Sequence, residues 1–79
     1  MTPEQCRAAR AWLNLSQQEL AEIAHVGLST VRDYEAGRRQ PVHNNLTAIR
    51  QVFEKRGLSF YDGTGWAGIR FKSPKPPAE

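Results

Sequence analysis

The stretch Ser16 to Gly37, SQQELAEIAHVGLSTVRDYEAG, constrains this chain more than any other. It holds two short helical patterns separated by three residues. Ser16 is placed to cap the first, and Glu19, three residues on, closes a capping box. Leu20, Ala21, Ile23 and Ala24 form an apolar face at helical spacing. His25-Val26-Gly27 interrupt the pattern, and Val31, Tyr34 and Ala36 resume it on a second helix. Helices this short with so tight a connection cannot lie antiparallel; they must cross steeply, as in a helix-turn-helix. The second helix then leaves Leu28, Ser29, Thr30, Arg32 and Asp33 on its outer face. That face is small and polar apart from Leu28, the shape of a major-groove probe.

A chain of 79 residues makes one small domain with a modest core. No apolar run approaches membrane-spanning length, and the N-terminus lacks the apolar segment of a signal peptide. Cys6 is the single cysteine, which excludes an internal disulfide and a thiolate metal cluster. A cytosolic protein without metal or cofactor is expected. The net charge of +3 is weak evidence for nucleic acid, but its distribution says more. Met1 to Gly37 carries three arginines against five acids, a net of −2; from Arg38 onward eight bases face three acids, a net of +5. The positive half begins at Arg38 and Arg39, where phosphates would flank the second helix of the motif. The competing reading is a basic surface kept for solubility.

Taken in order, Thr2-Pro3-Glu4-Gln5 is a helix start: a capping Thr, Pro in the first turn, Gln three residues after the cap. The helix is predicted to run to about Leu13, with Asn14 ending it in the left-handed conformation. Cys6, Ala9 and Leu13 share one face, so Cys6 reads as a small core residue. Arg10 falls on the same inward stripe. A buried guanidinium needs an anion, and Glu35 is the best candidate. His25 stands where a positive φ is wanted, which histidine tolerates better than most residues; no second His, Asp or Cys is placed to make it a ligand or base. Gly27 occupies the cap of the next helix. Pro41 stops any continuation after Gly37, and a further helix is predicted from about His43 to Arg56. Leu46, Ile49, Val52 and Phe53 lie on one of its faces, and Gly57 ends it. From Leu58 the period changes to that of a hairpin, with strands Leu58–Tyr61 and Gly68–Phe71 and with Trp66 in the loop between them. A lone hairpin is marginal in water. Phe60, Ile69 and Phe71 therefore need cover, either from the helices or from a second chain. Residues 72–79, rich in proline, read as a disordered tail.

These residues resemble the phage-repressor type of helix-turn-helix, the Cro/CI or XRE-like regulators. Arg10, Leu15-Ser16-Gln17, Glu19-Leu20-Ala21, Ala24, Val26, Val31, Tyr34-Glu35, Gly37 and Pro41 fall where that family has them, over roughly Arg7 to Gly57. The hairpin looks like small bacterial regulators with a Gly-Leu-x-Phe and a Gly-Ile-Arg segment, here Gly57 to Phe60 and Gly68 to Arg70. The resemblance implies a mainly α protein: a compact four-helix lambda-repressor-like helix-turn-helix domain, residues 1–57, with a short C-terminal β-hairpin at 58–71. It implies transcriptional repression by a homodimer on palindromic double-stranded DNA. Gln17, with Gln18 beside it at the start of the motif's first helix, would hold a phosphate. Leu28, Ser29 and Asp33 would approach base edges, with Gly27 capping their helix and Thr30 and Arg32 at the groove wall. Arg10 and Glu35 would form the internal ion pair. Two positions depart from the family: His25-Val26-Gly27 replaces its usual Gly-Val-Ser, and Leu28 replaces a long polar residue. Leu28 would read DNA by contact with a thymine methyl.

A sequence-specific DNA-binding regulator is the leading expectation. An antitoxin-like regulator, gripping a protein partner as well as its own operator, is the alternative. An enzyme is poorly supported, because the histidines, the cysteine and the carboxylates form no catalytic constellation. One recognition helix covers few base pairs, so a symmetric dimer is expected. Its half-site centres would lie about 10 bp apart. Phe60, Ile69 and Phe71 on the hairpin are the expected contacts between the two chains, the rival being that they close the core of one.

Overall fold

The computed structural model describes residues 1–72 and shows four helices followed by a two-stranded antiparallel hairpin. The helices are α1 (Pro3–Trp12), α2 (Gln17–Ala24), α3 (Leu28–Glu35) and α4 (His43–Glu54). Thr2 and Ser16 both close full capping boxes, with Gln5 and Glu19 reaching back to the cap backbone. Each box satisfies N–H groups that the first helical turn cannot pair.

The first three helices end by a shared device. Asn14 (φ 58°), His25 (φ 59°) and Gly37 (φ 74°) take the left-handed conformation. In each case the chain closes with the two crossed bonds of a Schellman turn. At the end of α2, His25 N–H donates to Glu22 O and Val26 N–H to Ala21 O. At the end of α3, Gly37 donates to Tyr34 O and Arg38 to Asp33 O. Ala36, expected on the apolar face of α3, is exposed because it lies in this turn.

All four helices fill one core. Cys6, Ala9, Leu20, Val31, Ile49 and Phe53 are fully buried, and Tyr34 nearly so. The Tyr34 hydroxyl donates to Met1 O at 2.8 Å. Burial, with Cys6, Glu4 and Asp62 nearby, pushes its pKa up to about 12, so it stays a donor.

The hairpin is longer than its sequence pattern indicates. Strands β1 (Leu58–Gly63) and β2 (Trp66–Phe71) pair throughout, from Leu58 opposite Phe71 to Gly63 opposite Trp66. The loop is only Thr64-Gly65, with Gly65 at φ 80°; Trp66 therefore belongs to a strand. The physical reason is local. Gly63 has no side chain to meet the Trp66 indole, which lies where a Cβ would stand.

Alternation gives the sheet two unlike faces. Leu58, Phe60, Ile69 and Phe71 point at the helices. Phe60 meets Phe53 edge-on at 5.9 Å, and Phe71 stacks on Trp12 at 4.1 Å between ring centroids. Phe60, Ile69 and Phe71 are half-buried against the helices of their own chain. Gln5, buried in α1, adds a polar tie: its Nε2 donates to Tyr61 O at 3.1 Å and to Gly68 O at 2.8 Å. Of the expected tail, Lys72 donates its N–H to Gly57 O at 3.0 Å; the remainder lies outside the described residues.

Leu58 carries the hairpin into the core, at 2% exposure. Leu58→Ala should cost about 2–5 kcal/mol, read from the urea midpoint at unchanged slope. A loss below about 1 kcal/mol would place the hairpin on the core rather than in it.

Candidate nucleic-acid interface

The geometry of the α2–α3 pair rests on one carboxylate. Glu35, the last residue of α3, is 2% exposed. Arg10 of α1 grips it with both arms of its fork, Nε to Oε2 and Nη2 to Oε1, each at 2.9 Å. Gln17 of α2 donates to Oε1 at 3.0 Å, and the Cys6 thiol donates to Oε2 at 3.2 Å. Arg7 donates to the Glu35 carbonyl, and the third Arg10 donor reaches Leu15 O at 3.0 Å. One buried anion therefore joins α1, α2 and α3.

Burial alone would push the Glu35 carboxyl up. The hydrogen bonds from Arg10, Gln17 and Cys6, with the Arg10 charge, outweigh it and hold the group below the ordinary carboxylate range. Burial and the Glu35 charge push the Cys6 thiol up, so it remains a protonated donor.

Gln17 is thereby tied to the end of α3. Half-exposed at the start of α2, its carboxamide gives its amide nitrogen to the Glu35 ligand set. Gln18 is exposed at the start of α2 and donates to Glu22 at 3.1 Å.

Helix α3 begins at Gly27, which makes no side-chain cap bond. Leu28 is half-buried and packs against the core, so only part of it faces outward. Ser29 and Arg32 are exposed, and Thr30 and Asp33 half-exposed. Ser29, Thr30 and Asp33 form one wall of a groove of about 250 Å³. Arg39, Gln40, Pro41, Val42 and Asn45 form the other. Arg32 is exposed and does not line this groove. Gln40 and Asn45 were not among the residues singled out from sequence. The paired Asn44-Asn45 in the first turn of α4 was the available signal, because such residues favour turns and helix starts over interiors.

The two arginines after α3 differ in surroundings. Arg39 lines the groove. Arg38 instead places Nη1 3.3 Å from Asp33 Oδ1. Among the described residues no three His, Cys, Asp or Glu side chains gather where a metal ion could sit. No helix there is long and apolar enough to cross a membrane.

Two short helices joined by a tight left-handed turn, with a polar outer face beside a basic loop, are the parts of a DNA-reading motif. A family profile described as helix-turn-helix matches residues 7–56. The chain belongs to the Cro/CI-like, XRE-type helix-turn-helix regulators. No match is found among curated proteins. Membership makes this helix-turn-helix protein a DNA-binding transcription regulator. The matched span takes in all of α2, α3 and α4, together with the Glu35 network apart from Cys6.

Removing either half of the central pair strands a buried charge. In the helix-turn-helix regulator, Arg10→Met and Glu35→Gln should each cost about 3–5 kcal/mol, the double change far less than their sum. Thermal or urea unfolding reads this. The same carboxylate sets an acid limb. Its folded pKa is depressed, so its contribution is fully present above the unfolded value of about 4.3 and is lost as pH falls through the lower folded value. Glu35→Gln should flatten the stability profile in that window.

Proposed function

We propose that the protein is a sequence-specific repressor that binds a palindromic operator as a homodimer, with α3 in the major groove. The observation that carries this reading is the groove between α3 and the loop before α4. It sets Ser29, Thr30 and Asp33 beside Arg39 and Asn45, so groups able to meet base edges and a phosphate-seeking cation share one surface. Gly27, Leu28 and Arg32 extend that surface along α3, and Gln18 flanks it from α2. The protein acts by binding rather than by catalysis.

Selection of bound sequences from random duplex DNA tests the whole reading. Enriched sites should be palindromic, with half-site centres about 10 bp apart. Arg39→Ala should weaken binding to all sequences alike and lower the salt slope by about one. Enrichment of single, asymmetric sites would remove the dimer from the proposal.

A second reading, an antitoxin-like regulator that also grips a protein, has one observation in its favour. The outward face of the hairpin carries Tyr61 at 40% and Trp66 at 61% exposure. Arg70 donates to the Tyr61 hydroxyl on the same face at 3.2 Å. Trp, Tyr and Arg are the residues that dominate protein interfaces. Sedimentation of Trp66→Ser separates the two uses. A monomer assigns the face to the second copy, and a retained dimer leaves it to another protein.

A further inference from the structure

Asp33 and Arg38 are tied to each other twice. Their side chains approach to 3.3 Å, although they keep 36% and 67% of their exposure. Their backbones are also joined, because the Schellman turn through Gly37 directs the Arg38 N–H onto the Asp33 carbonyl at 2.9 Å. An ion pair this exposed contributes next to nothing to stability, so folding does not account for it. What the turn does is set a guanidinium against Asp33, a residue of the groove wall, at a position fixed by the helix end rather than by the loop.

That placement changes what Asp33 can do. A bare carboxylate carried into a major groove is repelled by phosphates and by the N7 and O6 acceptors of purine edges. Cytosine presents an amino donor there and no acceptor of its own, and it is the base that a carboxylate suits. With Oδ1 engaged by Arg38 the charge is offset, and Oδ2 is the oxygen left to accept from a base.

We propose that Asp33 and Arg38 act as one recognition unit, in which Arg38 neutralises and orients Asp33 so that it accepts a hydrogen bond from a cytosine amino group. The inference rests on α3 entering the major groove, as proposed above. It separates Arg38 from Arg39: Arg38 sets base preference, whereas Arg39 supplies charge.

The test is selection from random duplexes with the full chain, comparing wild type, Asp33→Ala, Arg38→Ala and the double change, together with salt slopes for each. Both positions are exposed enough that folding should survive, which circular dichroism checks. Wild type should favour cytosine at one position of each half-site by about 5- to 150-fold. Asp33→Ala should abolish that preference. Arg38→Ala should reduce it at least fivefold at the same position, and the double change should be no less specific than Asp33→Ala. If Arg38→Ala weakens every sequence equally, lowers the salt slope by about one and preserves all preferences, Arg38 is a phosphate contact and the unit does not exist. Unchanged preferences in Asp33→Ala would overturn it as well. A wild-type protein that enriches no sequence would instead overturn the DNA-reading proposal itself.

Discussion

The helix pair that this protein turns outward depends on a carboxylate that faces inward. Glu35 ends α3, and its two oxygens accept from Arg10, Gln17 and Cys6. A buried anion is tolerated only when its lone pairs are satisfied and its charge is matched. These bonds are directional, so satisfying them fixes where α1 and α2 stand relative to the end of α3. Apolar packing alone would hold the helices together with less control over their mutual angle. For a motif that offers one helix face to a partner, the angle is the functional quantity.

The hairpin extends the same logic. Its inner face closes the core over α1 and α4, and its carbonyls at Tyr61 and Gly68 are met by Gln5. Gln5 thus serves two ends with one carboxamide: Oε1 caps α1 by accepting from Thr2 N–H, and Nε2 holds the sheet. A two-stranded sheet is marginal alone. Here it is sustained by Leu58 in the core and by the ring contacts Trp12–Phe71 and Phe53–Phe60. The consequence is that the outward face, with Tyr61, Trp66 and Arg70, is held in place by the layer behind it.

The division of charge has a comparable effect on the binding surface. The acidic half of the chain includes α3, and the basic half starts at Arg38. Helix α3 is therefore not itself a cation that would adhere to any phosphate. In the proposed complex, nonspecific attraction would come from its flank and the polar side chains of α3 would meet the bases. Asp33 and Arg38 sit on the boundary between the halves, joined across it.

What the sequence determined by itself was everything carried by near neighbours. The caps at Thr2 and Ser16, the left-handed ends at Asn14 and His25 and the start of α4 at His43 involve residues a few positions apart. The inward position of Arg10 also followed from helical period, and the period left Glu35 as its best partner. Period shows which face of an element is apolar; it does not show what covers that face. Only the tertiary structure decided that Phe60, Ile69 and Phe71 are covered by their own chain, and that Gln17 turns inward to Glu35. The same holds for Gln5 reaching a strand 63 residues away, for Trp66 lying on Gly63 within a longer hairpin, and for Arg38 pairing with Asp33. These choices belong to polar side chains whose partners are selected by three-dimensional proximity. A hydrogen bond depends on distance and angle, and neither is written in residue spacing once the chain has turned more than once.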